Sequence, residues 1–239
     1  MNKGKLYLIP SPLADCDLHT VLPDSVFEVI RHIGTYVVEE ERTVRRFLSL
    51  AGLRGHIEDL HLTVLNEHTS QEDVEKMIAL FDEGNDVGLI SEAGLPAVAD
   101  PGASLVALCH SHGIEVCPMV GPSSLMLALM GSGLNGQSFA FRGYLPAKTD
   151  QCRAAIKDAE KLSGTLDQTQ IFIETPYRSD SLLKNMLECL HPSTKLCIAS
   201  NLTSQSQSII TKSVAQWQKA PVTIGKIPCV FLFLKQYER

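Results

Sequence analysis

One segment joins a hydrophobic strand pattern to residue types that bind polar ligands. Residues Leu89–Gly102 read LISEAGLPAVADPG, so an apolar run leads into a turn rich in glycine and proline and then into a predicted helix. Ligands of open α/β sheets bind beyond the carboxyl ends of strands, and glycine lets the backbone approach them closely. Glu92 can accept hydrogen bonds from sugar hydroxyls. The alternative is that Glu92 is a solvated acid and that the turn only shapes a connection.

A second strand end has the same character. Residues Val120–Ser124 read VGPSS, which places two hydroxyl side chains at the start of a predicted helix. Ser123 or Ser124 can simply cap that helix, whatever the function. The first predicted strand ends at Pro10, so three strand-end segments could line one binding site.

Charged residues cluster where another strand meets a helix. Residues Glu39–Arg46 read EEERTVRR, with acids at the helix N-terminus, where the helix dipole favours negative charge. Arg42, Arg45 and Arg46 are three and four residues apart and share a helical face. They either form ion pairs on a solvated surface or offer bidentate donors to phosphate or carboxylate.

Two further patterns carry less chemistry. Residues Glu174–Arg178 (ETPYR) end a predicted strand in a turn, and residue type alone favours a structural role. Residues Gly131–Gly136 (GSGLNG) match the dinucleotide-binding fingerprint, but that fingerprint needs a strand before it and a helix after it. Here the predicted order is helix and then strand, so we expect no nicotinamide or flavin site.

Metal and histidine chemistry are not indicated. The seven cysteines have no CxxC spacing, which predicts reduced thiols and neither a zinc site nor a disulfide framework. His110 and His112 lie two residues apart on a predicted helix and do not face one another.

The order of elements predicts an α/β fold. In the first half, strand-like runs alternate with helical patterns, which indicates a mostly parallel sheet with helices on both faces. The predicted strands are Lys5–Pro10, Thr35–Val38, Leu60–Leu65, Asp86–Ser91 and Ile114–Val120. The predicted helices between them are Pro23–His32, Glu39–Leu50, a segment capped by Ser70 that reaches Phe81, and Ser104–His112.

The second half has more strands and fewer helices. Its predicted strands are Phe139–Tyr144, Gln170–Glu174, Lys195–Ala199, Ile209–Lys212 and Pro228–Leu234, and its predicted helices are Ser123–Met130, Thr149–Lys161 and Ser179–Leu190. We therefore expect an α/β domain over residues 1–120 and a smaller α+β domain with a mixed sheet over residues 121–239.

Composition narrows the class of protein. The chain has 239 residues, 44% of them hydrophobic, and no apolar run long enough to span a membrane. The N-terminus lacks a signal-peptide core, so the cytoplasm is the expected compartment. A net charge of −6 excludes general attraction to phosphate as the basis of nucleic-acid binding. Any such binding must use a local basic surface, with candidates Arg42, Arg45, Arg46, Arg142, Lys148, Arg153 and Lys157.

Taken together, these segments resemble a known family. The chain is similar to the class III S-adenosylmethionine-dependent methyltransferases, the tetrapyrrole methylase superfamily, along almost its whole length. Within that superfamily it most resembles the branch that methylates the ribose 2′-oxygen of a cytidine in small-subunit ribosomal RNA. The most specific blocks are EEERTVRRFL, LISEAGLPAVADPG, VCPMVGPSSLMLALMGSGL, FRGYLP and IFIETPYR.

The resemblance implies two α/β domains with S-adenosylmethionine in the cleft between them, and a homodimer. The cofactor contacts that it implies are Pro10, Ser91, Glu92, Ala93, Gly94, Leu95, Pro96, Gly121, Pro122, Ser123, Ser124, Glu174, Thr175 and Leu202. Glu39, Glu40, Arg42 and Arg45 match the family's acidic-then-basic block and are candidates for substrate contact. The pattern does not single out a catalytic base among them, and no metal is implied.

The chain departs from the family at three places. Glu92 and Leu95 replace an aspartate and a threonine, and Leu13-Ala14-Asp15 replaces a Gly-Asn-Leu stretch. Residues Ser200–Gln205 replace a charged run that the RNA-modifying branch carries. Three functions therefore stay open: an RNA methyltransferase, a methyltransferase of a tetrapyrrole or another small molecule, and a protein that binds the cofactor with weak catalysis.

Overall fold

The computed structural model describes residues 3–220 and 222–235, and the chain divides into two compact units, Met1–Ser123 and Ser124–Arg239. The domain prediction of 1–120 and 121–239 remains a prediction, and each unit is described by itself below. In the described part of the chain, no helix is both long and apolar enough to cross a membrane.

The first unit contains a five-stranded sheet in which every described pairing is parallel. The strands are β1 (Leu6–Leu8), β2 (Thr35–Val38), β3 (His61–Val64), β4 (Val87–Ile90) and β5 (Val116–Pro118). Their order across the sheet is β3-β2-β4-β1-β5. Because all strands point the same way, the segments that follow β1, β2, β4 and β5 emerge at one edge of the sheet.

Helices cover both faces of this sheet. They are α1 (Asp24–His32), α2 (Glu41–Leu48), α3 (Gln71–Lys76) and α4 (Gly102–Ser111). Tyr36 and Val38 of β2 pack in one buried cluster with α1 and α2, whereas Val37 packs in a second cluster with α3 and α4. This alternation along β2 is the period of two expected of a strand buried on both sides.

Helices α2 and α3 end earlier than the sequence predicted, and each continues into a turn of another kind. Ser70 accepts a hydrogen bond from the Asp73 N–H at 3.2 Å, so the expected cap of α3 is present. The α-helical turns stop at Lys76, and the segment continues as 3-10 turns through Met77–Gly84. After α2, the chain continues in a wider turn over Ser49–Leu53, with Gly52 at φ +115°.

The second unit holds a mixed sheet of five strands. They are β6 (Phe139–Phe141), β7 (Thr169–Glu174), β8 (Lys195–Ser200), β9 (Ser208–Ser213) and β10 (Cys229–Leu234), in the order β6-β7-β10-β8-β9. β6 and β7 pair in parallel, and the remaining pairs are antiparallel. The structure thus confirms the predicted fold class.

Helices α5 (Ser124–Ser132), α6 (Thr149–Leu166), α7 (Ser179–Cys189) and α8 (Val214–Lys219) complete the second unit. The only tryptophan of the chain, Trp217, is 2% exposed in the core formed with α6 and α7, and its indole N–H donates to the Leu196 carbonyl at 2.9 Å. Helix α5 packs against β9 and β10, and Gly131 lies where a Cβ would be 2.5 Å from the Ile209 side chain.

Candidate functional site

The segments after β1 and β4 are joined at the carboxyl edge of the first sheet. The Ser11 N–H donates to the Gly94 carbonyl at 2.9 Å, and the Gly94 N–H donates back to the Ser11 carbonyl at 3.2 Å. Gly94 has φ +83°, which a side chain would oppose. Its glycine is therefore required by the backbone of this turn.

The segment after β5 packs onto the segment after β1. A Cβ at Gly121 would lie 2.2 Å from the Cβ of Pro10, a distance that no real side chain accepts. The three strand-end segments that the sequence singled out, around Pro10, Gly94 and Gly121, therefore meet at one edge of the sheet. Ser123 and Ser124 follow at the end of the first unit and the start of α5, both half-buried.

Within the β4 segment, exposure differs from residue to residue. Ser91, Gly94 and Pro96 are buried, Leu95 is half-buried, and Glu92 and Ala93 are exposed. The Ser91 hydroxyl oxygen is buried and has no hydrogen-bond partner. Exposed Glu92 and Ala93 between buried neighbours leave this turn able to contact a ligand.

Asp100 holds the second half of the same segment. Its Oδ1 accepts hydrogen bonds from the Ala97 N–H at 3.0 Å and the Gly102 N–H at 2.8 Å. Ala97 and Ala99 have φ +65° and +63°, a costly backbone conformation for residues with a Cβ. Burial raises the pKa of the Asp100 carboxyl. Sequence reasoning missed Asp100, although an aspartate before Pro-Gly at a helix start is a known pattern for capping backbone N–H groups.

Glu39 connects the acidic block to the β4 segment. Its Oε2 accepts a hydrogen bond from the Glu92 N–H at 3.1 Å. Burial raises the pKa of Glu39, and the nearby negative charges of Asp100, Glu92 and Glu67 raise it further, against the lowering effect of that hydrogen bond. Of the four candidate substrate-contact residues, Glu39 alone has a described contact with the β4 segment.

The other members of that block have different partners. Glu40 caps α2 by accepting from the Thr43 N–H at 2.8 Å, and backbone N–H groups of Thr43 and Arg42 lower its pKa. Arg45 lies 3.7 Å from Glu41 and 3.4 Å from Glu58, so the ion-pair interpretation applies to Arg45. Arg42 is exposed.

The further basic candidates in the second unit are partly engaged. Arg142 donates to the Gln170 side-chain oxygen at 2.7 Å, and Arg153 forms an ion pair with Glu188. Lys148 and Lys157 are exposed.

In the second unit, Glu174 ends β7 with a buried carboxylate. Its Oε1 accepts from the Thr175 N–H at 2.8 Å, and its Oε2 lies 3.0 Å from Arg178 Nη2 without hydrogen-bond alignment. Arg178 Nη2 also donates to the Leu145 carbonyl at 3.2 Å. The ETPYR motif is therefore more than a strand-end turn, since it places a charged pair at the end of β7.

The polar segment Ser200–Gln205 forms a strained turn. Asn201 and Thr203 have φ +49° and +68°, and Leu202 between them is 6% exposed. The Thr203 N–H donates to the Gln207 side-chain oxygen at 2.9 Å, which helps to hold this backbone. A β-branched threonine in this region is a genuine outlier of the kind that clusters at functional sites.

Unsatisfied buried atoms coincide with the segments assigned to the cofactor. Within residues 3–220 and 222–235, the buried side-chain atoms without a hydrogen-bond partner are Ser91 Oγ, Asp100 Oδ2, Glu174 Oε2 and Thr203 Oγ1. Ser91 and Asp100 lie in the β4 segment, Glu174 is itself assigned, and Thr203 follows Leu202. Unpaired buried polar atoms are rare and call for an explanation, and an unseen polar ligand is one such explanation. In the first unit, the Ser91 and Asp100 oxygens can therefore contact a polar group of a ligand, and the polar groups of S-adenosylmethionine fit that requirement.

The remaining motifs have structural roles. Gly131 lies inside α5, which ends at Ser132, and Gly133 adopts φ +69° directly after it. The order is helix and then β6, so the GSGLNG match lacks the strand-to-helix context of a dinucleotide site. Among the described residues, no group of His, Cys, Asp and Glu side chains is placed to hold a metal ion.

Comparison with solved structures identifies the fold. The methyltransferase CobJ superposes with a TM-score of 0.65 at 16% identity, covering 97% of this chain and 94% of that chain. Uroporphyrin-III C-methyltransferase from Thermus thermophilus, solved in complex with S-adenosylhomocysteine, gives a TM-score of 0.59 at 16% identity, with 97% and 98% coverage. This chain thus has the tetrapyrrole-methylase fold that the sequence predicted.

Comparison with curated sequences identifies the family, although no protein-family model matches the chain. It is 30% identical over 208 residues to ribosomal RNA small subunit methyltransferase I of Escherichia coli O157:H7, covering 87% of this chain and 68% of that protein. It is 34% identical over 209 residues to the protein of the same name from Mesorhizobium japonicum, with 86% and 66% coverage. The chain is therefore an S-adenosylmethionine-dependent methyltransferase that belongs to the ribosomal RNA small subunit methyltransferase I family, within the class III methyltransferases.

Proposed function

We propose that the chain transfers the methyl group of S-adenosylmethionine to a ribose 2′-oxygen of small-subunit ribosomal RNA. The names of its relatives support the RNA acceptor, and the branch that the sequence resembles supports the ribose oxygen. We also propose that it acts in the cytoplasm as a homodimer, as that branch implies.

The observation that carries the site assignment is the set of buried oxygens of Ser91, Asp100, Glu174 and Thr203 that have no hydrogen-bond partner, although Glu174 Oε2 forms an ion pair with Arg178. We assign cofactor contacts to the residues on or beside those atoms and to the strand-end segments that meet at Gly121. They are Pro10, Ser91, Glu92, Ala93, Gly94, Leu95, Pro96, Gly121, Pro122, Ser123 and Ser124 in residues 1–123 and at the start of α5, and Glu174, Thr175 and Leu202 further along the chain.

When bound, S-adenosylmethionine supplies an electrophilic methyl group on a positively charged sulfur. In the transfer, the methyl carbon would bond to the ribose oxygen as its bond to sulfur breaks, and the hydroxyl proton would pass to a base of the protein or to solvent. The protein contributes mainly by holding the acceptor oxygen close to and in line with the methyl group. A positioned carboxylate that takes the proton adds to this effect.

Glu39 is the best placed of the candidate residues to take that proton. Its carboxylate is hydrogen-bonded to the backbone of the β4 segment, and its raised pKa makes it a stronger base than an ordinary glutamate. Glu40 is committed to capping α2, and Arg45 is held by Glu41 and Glu58. Arg42 is exposed and is available to a phosphate group of the RNA.

The test is methyl transfer from labelled S-adenosylmethionine to small ribosomal subunits taken from a strain that lacks this gene. We expect label in the RNA of these subunits and none in subunits that already carry the modification. A reduced uroporphyrin should be offered in parallel as an alternative acceptor. The Ser200–Gln205 segment lacks the charged run of the RNA-modifying branch, so a small-molecule acceptor is the competing hypothesis. Label in the tetrapyrrole and none in RNA would replace the proposed acceptor.

A further inference from the structure

A cavity of about 220 Å³ lies in the first unit beside the β4 segment. One wall is made of Ile90, Ser91, Glu92 and Ala93, and so includes part of the proposed cofactor segment. The other walls come from the segment after β1 (residues 11–18) and from one face of α2. These other walls contain no residue that the proposed function assigns to the cofactor. Because this cavity shares a wall with the proposed cofactor segment, it is a candidate position for the acceptor group.

The α2 face that lines this cavity differs from the one marked by the candidate arginines. It carries Thr43, Arg46 and Phe47, and Leu50 lines the cavity from the wider turn just after α2, whereas Arg42 and Arg45 are absent from the lining. Phe47 is buried, and Leu50 is 64% exposed, so Leu50 offers apolar surface to a ligand. Leu13 and Leu18 supply apolar surface from the opposite segment. Walls of this kind suit a flat, partly apolar group.

Polar groups in the lining are few and complementary. Arg46 Nη2 lies 3.4 Å from Asp15 Oδ2, and the two side chains are 73% and 87% exposed. Exposed ion pairs of this kind contribute little to stability, so both partners can turn to a ligand at small cost. Asp15 then offers acceptors only and Arg46 donors only. Asp15 can accept a hydrogen bond from an amino group, and Arg46 can donate to a ring nitrogen or carbonyl oxygen beside it. The pair therefore matches the edge of a planar base that presents an amino group next to an acceptor.

We propose that this cavity binds the base of the acceptor nucleotide, with Asp15 and Arg46 reading its hydrogen-bonding edge. This inference rests on the proposed function. Enzymes that act on one nucleotide commonly take its base into a fitted pocket, where apolar side chains contact its faces. The cavity is smaller than the roughly 300–1,000 Å³ of pockets for drug-sized ligands, as expected for a site that takes one base.

Three variants test the cavity without touching the proposed cofactor contacts. Ala14→Trp fills it from the β1 segment, and Asp15→Asn and Arg46→Gln each remove one half of the reading pair. Arg31→Gln, which removes an exposed charge at the end of α1, is the matched control. The readouts are the dissociation constant for S-adenosylmethionine by calorimetry, and kcat and KM for unmodified small subunits.

We expect Ala14→Trp to lower kcat/KM by at least about tenfold while the cofactor dissociation constant changes less than about twofold. Asp15→Asn and Arg46→Gln should raise KM by roughly fivefold or more, since each loses a hydrogen-bonding partner of the base. Arg31→Gln should behave as the wild type. Asp15 and Arg46 are exposed, so these two variants remain informative even if Ala14→Trp fails to fold.

The outcomes separate this inference from the proposed function. If the wild type labels ribosomal RNA but all three variants keep wild-type kcat and KM, the base binds elsewhere and the inference is wrong. If the wild type labels no RNA, the proposed function fails first, and the assignment of a base to the cavity fails with it. If the variants bind S-adenosylmethionine more weakly to the same extent as they lose activity, the cavity belongs to the cofactor and the inference is wrong.

Discussion

At the scale of single residues, sequence reasoning found the glycines and missed a carboxylate that holds their segment in place. Gly94 and Gly121 were recognisable because glycine at a strand end has few other uses. Asp100 was not, since its role depends on the backbone N–H groups of Ala97 and Gly102, which face it only after the chain adopts positive φ at two alanines. The spacing of residues in the sequence does not reveal a role that depends on where neighbouring backbone groups point.

Asp100→Ala tests the role of this carboxylate. The variant leaves the Ala97 and Gly102 N–H groups without their acceptor and removes support from a strained backbone, so we expect a loss of about 1–3 kcal/mol in the free energy of unfolding. The affinity for S-adenosylmethionine should fall as well. Urea unfolding and calorimetry measure the two effects. Asp59→Ala, which removes an exposed carboxylate, is the control, and equal losses in both variants would contradict the assigned role.

Glu39 predicts a specific dependence of stability on pH. Its pKa is raised in the folded protein, so the folded state binds the proton more tightly than the unfolded state does. The contribution of Glu39 to stability therefore falls as pH rises from the ordinary value of 4.5 through the raised pKa. Glu39→Gln lacks this loss, so its unfolding free energy relative to the wild type should rise with pH over that window.

Glu40→Gln provides the control of opposite sign. The pKa of Glu40 is lowered by its capping hydrogen bonds, so its contribution is present above 4.5 and is lost as pH falls through the lowered pKa. The stability of Glu40→Gln relative to the wild type should therefore fall as pH rises. Urea midpoints measured between about pH 3 and 7 compare the two variants. If the stabilities of both variants relative to the wild type change in the same direction with pH, the environment of Glu39 differs from the one described.

At the scale of elements, runs of apolar residues and helical spacing predicted most helices and strands, because the strands are short buried runs bounded by turn residues. Thr35–Val38 was predicted with its observed bounds, and Ser179–Leu190 extended one residue too far. One helix, α8 (Val214–Lys219), was not predicted at all, and the other errors lie at element ends. α6 runs to Leu166 instead of Lys161, and β5 is only Val116–Pro118, because helix ends and strand pairing depend on neighbours that the sequence does not reveal.

The packing of two strand-end segments on each other gives a prediction at this scale. Gly121→Ala places a methyl group against Pro10, whose ring cannot turn away, so the segments after β1 and β5 must separate. We expect a loss of about 1–3 kcal/mol in stability and at least about a tenfold weaker binding of S-adenosylmethionine. Gly34→Ala is the matched control, because a Cβ there meets no atom within 4 Å. Calorimetry that finds wild-type affinity for Gly121→Ala would remove this segment from the cofactor site.

At the scale of the whole molecule, composition predicted a folded chain without a membrane span. The net charge of −6 predicted that any binding of RNA must use a local basic surface. The cofactor was predictable because several ordered blocks of the sequence carry it. The base-binding cavity was not, since Asp15, Arg46 and Leu50 come from segments about 30 or more residues apart, or from a helix face that spacing alone does not select. Of the arginines that spacing marked together, Arg45 pairs with Glu41 and Glu58 and Arg46 with Asp15, whereas Arg42 is exposed.

The net charge predicts how RNA binding responds to salt. With 21 basic and 27 acidic residues, the chain can bind RNA phosphates only through a local group of cations that includes Arg42. Binding then releases few counterions. A plot of log affinity against log salt concentration should therefore have a slope shallower than about −3, which corresponds to at most roughly four phosphate contacts. Filter binding of unmodified small-subunit RNA over a salt series measures this slope. A steep slope would indicate a broad basic surface, which the charge does not support.

The most direct test of the account is the identity of the nucleoside that the chain methylates. Small subunits from a strain lacking the gene should be incubated with the protein and labelled S-adenosylmethionine, and their RNA digested to nucleosides for mass spectrometry. We predict one labelled species in which the methyl group is on the ribose, and much less of it with Gly121→Ala. A label found on a nucleobase, or absent from the RNA while the cofactor still binds, would contradict the account.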